Sequence, residues 1–295
     1  MKGSEQPIVQ ITEPQNQYRL IDSGDGEKLE KYGDFIVSRP DPQALWPKTL
    51  PESEWHKAQA VFSRSSEKAG WKLQDGVPER WSIEFGGLTL WIRPTSFKHT
   101  GLFPEQLENW QWLQKVIRAQ NTTEPVRILN LFGYTGGASL ACAAAGAEVT
   151  HVDGSKSATT WAKENAERSN LQDKPIRWIL DDARTFVGRE IKRGKTYHGI
   201  IMDPPAFGHG PEGEVWKIED NFLQLIEDCK KILDPQAILV LLNGYAAGYS
   251  AFSYEYNLRN LVGDRSGVIE RGELTIREST SGRLLPSGIY ARWSK

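Results

Sequence analysis

The chain has 295 residues, of which 25% are charged and 39% are hydrophobic, and its formal net charge is −2. This composition is typical of a folded protein and excludes a disordered or fibrous one. A protein that held nucleic acid mainly through its phosphates would usually be basic, so RNA binding would require a local patch. The sequence has neither a long apolar run nor an apolar signal region near its start, which predicts a cytoplasmic protein.

The cysteines and histidines give no sign of a metal site or a disulfide framework. Cys142 and Cys229 lie far apart, in segments with a helical pattern, and the histidines lack metal-ligand spacing. We therefore expect no bound metal. The eleven tryptophans are scattered, and we expect most of them to be packing residues rather than a base-stacking platform.

The first hundred residues predict a small β-rich domain. Residues 33–40 form an apolar strand between breakers. Trp81–Phe85 and Leu88–Ile92 alternate in polarity around a two-glycine turn, which predicts a β-hairpin. We place this domain at about 1–95 and a second domain at 96–295.

From residue 104 onward, helical and strand patterns alternate. Helices are predicted at 104–120, 136–145, 155–169, 184–193 and 219–233. Strands are predicted at 126–132, 148–152, 176–180, 199–202 and 237–242, and two more, at 273–277 and 289–293, follow without a helix between them. This order predicts an α/β fold with a doubly wound, mostly parallel sheet of seven strands, ending in an antiparallel pair at one edge.

Three consecutive strand ends of the predicted sheet carry groups suited to a nucleoside. The first is the turn at 130–137, whose glycines let the backbone approach a ligand closely. The second is Asp153, which can accept both hydroxyls of a ribose or, with Ser155, cap the next helix. The third is Asp181-Asp182-Ala183, which can accept an adenine amine or cap a helix. Taken together, the three ends predict an adenosine pocket.

A fourth strand end carries Asp203-Pro204-Pro205-Ala206-Phe207. The prolines fix the backbone and have no N–H, so their carbonyl groups are rigidly placed. The Asp203 carboxylate and a proline carbonyl can together accept hydrogens from a planar amine or a base edge, and Phe207 can stack on that base. A plain rigid loop is the alternative interpretation.

These motifs resemble those of class I S-adenosylmethionine-dependent methyltransferases. The matching residues are 130–140 (NLFGYTGGASL), Asp153, 161–165 (WAKEN), Asp182 and 203–207 (DPPAF). The sequence is similar in particular to the group that methylates bases of large-subunit ribosomal RNA. Residues 98–106 (KHTGLFPEQ) are similar to the loop that closes over the cofactor in that group. The likeness begins at about residue 18 and includes a small β domain found in that group.

The resemblance implies S-adenosylmethionine as the cofactor and a base of ribosomal RNA as the methyl acceptor. The residues expected to bind the cofactor are Phe103, Gln106, Phe132, Gly133, Tyr134, Thr135, Gly136, Asp153, Ser155, Asn165, Asp181, Asp182 and Ala183. The residues expected to act on the methyl acceptor are Asp203, Pro204, Pro205 and Phe207.

One departure from the resembling group bears on the atom that is methylated. Members that methylate C5 of cytosine carry a catalytic cysteine in the loop after the fifth strand, whereas residues 242–246 contain none. Carbon methylation needs a thiolate that adds to the ring. The sequence therefore favours a ring nitrogen, such as guanine N7, or an exocyclic amine.

Other functions stay open at this point. A methyltransferase that acts on a small molecule or a protein would suit the weakly acidic charge. A nicotinamide-dependent oxidoreductase is disfavoured because Thr135 stands where its glycine motif needs a second glycine. A non-catalytic module that only binds the cofactor is a further alternative. A basic run in 184–195 can contact phosphates, although a solvated helix face is the simpler interpretation.

Overall fold

A computed structural model describes residues 2–3, 6–64, 69–95, 98–122, 124–245 and 248–295. Ala246, in the loop compared above with the cysteine-bearing loop, lies outside these residues. The chain divides into two compact units. The first comprises Met1–Gln10, Glu108–Leu274 and Gly288–Lys295, and the second comprises Ile11–Leu107 and Thr275–Ser287. The predicted domain boundary at residue 95 stays a prediction.

Strands occur throughout the chain, whereas most of its helices follow residue 106. The strands are β1 (Lys2–Gly3), β2 (Ile8–Thr12), β3 (Tyr18–Gly24), β4 (Glu27–Tyr32), β5 (Phe35–Pro40), β6 (Ala60–Arg64), β7 (Ala69–Leu73), β8 (Trp81–Phe85), β9 (Leu88–Ile92), β10 (Arg127–Leu131), β11 (Glu148–Asp153), β12 (Ile176–Leu180), β13 (Gly199–Met202), β14 (Phe207–His209), β15 (Val215–Lys217), β16 (Leu239–Gly244), β17 (Val268–Arg277) and β18 (Leu284–Ser294). The helices are α1 (Glu52–Trp55), α2 (Leu107–Arg118), α3 (Gly137–Ala144), α4 (Lys156–Arg168), α5 (Ala183–Lys192), α6 (Ile218–Ile232) and α7 (Ala251–Val262), and a 3-10 turn (Pro104–Gln106) precedes α2.

The second unit is rich in β-structure, as predicted. Its five-stranded sheet has the order β3-β4-β5-β6-β7. The hairpin of β8 and β9 has the predicted bounds, with Phe85 opposite Leu88 across the glycine turn. Glu30 is fully buried in this unit, where Arg39 donates to both of its carboxylate oxygens. Burial alone would raise the pKa of Glu30, but the charges of Arg39 and Lys28 lower it to about 2.

The first unit contains the mostly parallel sheet that the sequence predicts. The order is β1-β17-β18-β16-β13-β10-β11-β12, and β2 also pairs with β17. Strands β12, β11, β10, β13 and β16 are all parallel, and β18 runs antiparallel to β16. The sheet has nine strands because β1 and β2 add to the seven predicted ones. For the same reason the pair β17 and β18 does not form the edge, which corrects that part of the prediction.

Helices cover both faces of this sheet, which makes it doubly wound. Along β10, Leu129 belongs to one apolar core and Ile128 to the other, because successive side chains of a strand point to opposite faces. One core receives side chains of α5, α6 and α7, and the other receives those of α2 and α3. Cys142 and Cys229 are buried in α3 and α6, as their patterns predicted.

The order of the strands places a crevice at the carboxyl ends of β10 and β13. The chain proceeds outward from β10 to β11 and β12, then returns to add β13 and β16 on the other side. Open α/β sheets bind ligands outside the strand ends where the order reverses in this way. No helix within the described ranges is long and apolar enough to cross a membrane.

Candidate functional site

The turn after β10 has a strained backbone. Phe132 and Tyr134 both have left-handed conformations, with φ of 58° and 48°. Such angles are uncommon for residues other than glycine and are concentrated at functional sites. Between them, Gly133 donates its N–H to the carbonyl oxygen of Val152 at 3.0 Å. A Cβ atom at Gly133 would overlap the ring of His151, so only glycine fits this position.

Buried polar side chains hold the turn in this shape. The amide of Asn165 donates to the carbonyl oxygen of Thr135 at 2.9 Å. Beneath the turn, Asn130 donates to the Ser139 hydroxyl at 2.9 Å, and that hydroxyl lies 3.0 Å from Nδ1 of His151. Burial lowers the pKa of His151 to about 3, so the ring is neutral at physiological pH. The turn is therefore fixed by the protein's own contacts.

Asp153, at the end of β11, connects two loops. Its Oδ2 accepts from the N–H of Tyr134 and its Oδ1 from the N–H of Ser155, both at 2.8 Å. Burial raises the pKa of Asp153, although these two hydrogen bonds oppose the shift. Each oxygen keeps a second lone pair, so the carboxylate can still accept a pair of hydroxyl groups. The cap of α4 is Ser155, whose hydroxyl accepts from the N–H of Ala158.

Two acidic side chains follow β12. Asp182 caps α5, because its carboxylate accepts from the N–H groups of Arg184 and Thr185. The guanidinium of Arg184 adds two further bonds, at 3.1 and 3.0 Å, and Asp181 forms an ion pair with Arg189. Burial would raise the pKa of Asp182, but its bonds to Arg184 and Thr185 lower it. Two arginines of the basic run thus bind acidic groups of the same strand end, and Ala183 begins α5 as a buried residue.

Asp203 directly follows β13, next to the end of β16. It is hydrogen-bonded to Asn243 of β16, and burial raises its pKa to about 6. Pro204 is buried, whereas the carbonyl oxygen of Pro205 accepts from the indole N–H of Trp216 at 2.6 Å. Phe207 is 54% exposed, which leaves its ring accessible to a ligand.

The structure thus brings most of the predicted site residues to one end of one sheet. The residues concerned are Phe132, Gly133, Tyr134, Thr135, Gly136, Asp153, Ser155, Asn165, Asp181, Asp182, Ala183, Asp203, Pro204, Pro205 and Phe207. Phe103 and Gln106 belong to the other compact unit, and their part in the site stays a prediction.

Sequence reasoning missed three residues of this region. His151 lies within a strand and Trp216 within a short hairpin, and no sequence motif marks either of them. Asn243 is a buried polar residue in an otherwise apolar strand, which was the one available signal.

Comparisons with known proteins are consistent with this geometry. A SAM-dependent methyltransferase from Agrobacterium tumefaciens has a crystal structure that is 41% identical in sequence, with a TM-score of 0.93, over 99% of this chain and 94% of that one. A ribosomal RNA large subunit methyltransferase K/L from Hahella chejuensis is 31% identical over 63% of this chain. A ribosomal RNA large subunit methyltransferase I from Cronobacter sakazakii is 27% identical over 65% of this chain.

The curated relatives are longer than the regions they share with this chain. The match spans 25% of the Hahella protein and 52% of the Cronobacter protein. No family model matches the chain.

Proposed function

The chain belongs to the family of S-adenosylmethionine-dependent methyltransferases, and on this premise we propose that it methylates a base nitrogen of ribosomal RNA. The observation that carries the proposal is the meeting of four strand ends at one edge of the sheet. Three of them, at β10, β11 and β12, bear the strained turn, Asp153 and the Asp181-Asp182 pair. The fourth, at β13, bears Asp203 and two prolines.

The residues of the first three ends fit an adenosine. The open lone pairs of Asp153 suit the two ribose hydroxyls, and the turn without a side chain at Gly133 suits close approach of the ligand. Asp181 and Asp182 keep acceptor capacity beside the N–H groups that begin α5. Phe132, Tyr134, Thr135, Gly136, Ser155, Asn165 and Ala183 complete the proposed cofactor site, with Phe103 and Gln106 as further candidates.

Asp203 and Pro204 are proposed to orient the methyl acceptor. The bound cofactor would supply an already activated methyl group, so the protein's main task is alignment of donor and acceptor. The Asp203 carboxylate and the Pro204 carbonyl accept hydrogens from an exocyclic amine of the base. With a pKa of about 6, Asp203 is mostly ionised at neutral pH and can take the proton that a methylated amine releases.

Phe207 is proposed to hold the target base outside its stack. Enzymes that act on a base commonly extrude it and stack it on an aromatic ring. Phe207 lies two residues after Pro205 and is more than half exposed, so it can take this role without a rearrangement of the core. Methylation of a ring nitrogen such as guanine N7 would need no proton acceptor. Asp203 would then bind the neighbouring edge of the nucleobase.

The test is methyl transfer from labelled S-adenosylmethionine to total RNA of cells that lack the gene. We expect label in large-subunit ribosomal RNA, and none when the RNA comes from cells that carry the gene. Label only in protein or in small molecules would refute the RNA substrate but keep the transferase activity. Absence of both label and heat on titration with S-adenosylhomocysteine would refute the proposal entirely. The cytoplasmic location is part of the same proposal.

A further inference from the structure

We propose that Trp216 is a positioning residue that aligns two segments of the site. These are the acceptor loop, residues 203–206, and the cofactor turn, residues 132–136. The inference rests on the proposed function and adds a residue that none of the motifs contains. Trp216 lies on β15, which pairs with β14 in a hairpin that directly follows the acceptor loop. Its side chain is 3% exposed, so its contacts are held away from solvent.

The first contact fixes the acceptor loop. The indole N–H of Trp216 donates to the carbonyl oxygen of Pro205 at 2.6 Å, and the N–H of Ile218 donates to that of Ala206 at 3.1 Å. These bonds use the two carbonyl groups that follow Pro204. The orientation of the Pro204-Pro205 segment is thereby set, and with it the direction in which the Pro204 carbonyl and Asp203 face the acceptor.

The second contact reaches the cofactor turn. The Trp216 ring packs on the Phe132 ring, with centroids 4.9 Å apart and planes at 57°. Phe132 is one of the two left-handed residues of that turn, and uncommon backbone conformations of this kind persist where surrounding contacts hold them. Tilted aromatic pairs at this distance stabilise the packing beyond the area that they bury.

A third contact links the same ring to the end of β12. The guanidinium carbon of Arg184 lies 5.9 Å from the Trp216 ring centroid, within the range of a cation–π interaction. Arg184 in turn donates to the Asp182 carboxylate. One side chain therefore contacts three loops that are distant in sequence but adjacent at the edge of the sheet.

The hairpin itself lies close to the ends of β11 and β12. At Gly154, a Cβ atom would be 3.0 Å from the carbonyl oxygen of His209. At Gly210, in the hairpin turn, a Cβ atom would be 3.1 Å from Cβ of Asp182. Because both positions lack side chains, the hairpin backbone approaches the ribose side and the adenine side of the proposed pocket. The hairpin thus forms a wall of that pocket, and Trp216 anchors it.

The decisive variant is Trp216→Phe, which keeps an aromatic ring against Phe132 but removes the N–H donor. A misplacement of about 1 Å in an enzyme site can cost ~100-fold in rate. We therefore expect kcat to fall by about 10- to 100-fold, while KM for S-adenosylmethionine stays within about twofold. A purely structural role would instead lower the fraction of folded enzyme and leave kcat per folded molecule unchanged.

Trp81→Phe is the matched control. Trp81 is 8% exposed and its indole N–H also donates to a backbone carbonyl, that of Tyr32, at 3.0 Å. This variant loses the same kind of bond at a position far from the acceptor loop in sequence. We therefore expect its kcat to equal that of the wild type. A Trp216→Phe enzyme with wild-type kcat, or equal losses in both variants, would overturn the inference.

Hydrogen exchange of the wild-type protein gives a second test that does not depend on how a variant folds. We expect backbone amides of 207–217 to exchange more slowly when S-adenosylhomocysteine is bound, because the hairpin forms a wall of the pocket. If S-adenosylhomocysteine binds but the exchange of these amides does not change, the inference about Trp216 is refuted and the proposed function is not. A wild-type protein that binds the ligand but methylates no RNA would refute the proposed substrate and leave the hairpin test valid.

Discussion

Replacement of Asp203 by Asn tests both the chemistry and the electrostatics of the site. The wild-type carboxyl has a pKa of about 6 in place of the ordinary 3.8, because the protein removes much of its hydration at the half-buried position after β13. A group that binds its proton more tightly in the folded state stabilises the protein most at low pH, below the unfolded pKa. This contribution is lost as the pH rises through the folded pKa. At neutral pH the ionised Asp203 therefore destabilises the fold.

The size of this effect follows from the pKa. At 1.36 kcal/mol for each pKa unit, the shift corresponds to at most about 3 kcal/mol at about pH 8. Asp203→Asn removes the charge, so we expect the free energy of unfolding to rise by ~1–3 kcal/mol at about pH 8. The gain should shrink to about half at about pH 5, where the wild-type carboxyl is mostly protonated in the folded state.

Activity should change in the opposite direction. Loss of a positioned proton acceptor typically costs about 10²–10⁴-fold, so we expect kcat to fall by at least ~100-fold. In the wild-type enzyme, the rate should fall about tenfold for each pH unit below 6, and this dependence should vanish in the variant. The binding of S-adenosylhomocysteine should be unchanged, since Asp203 is proposed to bind the methyl acceptor and not the cofactor.

The assays are urea unfolding at the two pH values, labelled methyl transfer, and calorimetry with S-adenosylhomocysteine. Asp228→Asn is the matched control, because Asp228 lies on α6 and is paired with the surface side chains Gln224 and Lys231. We expect this variant to change the free energy of unfolding at about pH 8 by at most ~0.5 kcal/mol. Its rate of methyl transfer should equal that of the wild type. A variant at Asp203 that keeps wild-type kcat, or is less stable than wild type at about pH 8, would refute the reasoning.

Four further predictions address the cofactor turn and the small β unit. Gly133→Ala should overlap His151, cost about 1–3 kcal/mol in thermal unfolding and weaken S-adenosylhomocysteine binding measured by calorimetry. Asp153→Ala should weaken the same binding by ~10²-fold, because it removes a carboxylate that fixes the turn and is proposed to bind the ribose; unchanged affinity would exclude that role. Arg39→Met should leave Glu30 buried without its partner and destabilise the protein by ~3–5 kcal/mol in urea. Since the pKa of Glu30 is lowered to about 2, the stability that its ion pair contributes is present above pH 4.5 and is lost as the pH falls toward 2, which acid titration of the wild type would check.

Much of the parallel sheet could be predicted from the sequence because its strands are short apolar runs between clear breakers. The predicted bounds of β12 and β13 agree with the structure to the residue. The N-terminal strands β1 and β2 were missed because they are short and carry little periodicity of their own. They become strands by pairing with β17, which is a contact distant in sequence.

Helix α7 was missed although local signals for it exist. Ser250 caps the helix through its hydroxyl, and Tyr254, Leu258 and Leu261 are buried at helical spacing. The glycines that precede the helix are typical of a loop and favour that interpretation for the whole segment. The sequence therefore contained enough information to predict α7.

The positions of Asp153 and Asp203 at strand ends could be predicted from the sequence, whereas their roles stay predictions. The sequence allowed either a cap or a ligand role for Asp182, and only the structure shows that the cap is made. Trp216 could not be found from the sequence at all. Its role depends on three contacts brought together by the tertiary fold, and each strand of its hairpin has only three residues.

The rigidity of the turn after β10 has a thermodynamic consequence. Asp153, Asn165 and the left-handed Phe132 and Tyr134 hold the loop in one conformation by internal contacts. Binding a nucleoside there should therefore cost little loop entropy, since immobilisation of each rotamer-rich side chain at a flexible site costs about 0.5–1.5 kcal/mol. A preorganised turn of this kind tolerates few changes in ligand shape. Each alteration of the sugar in a nucleoside analogue should therefore cause a distinct loss of affinity.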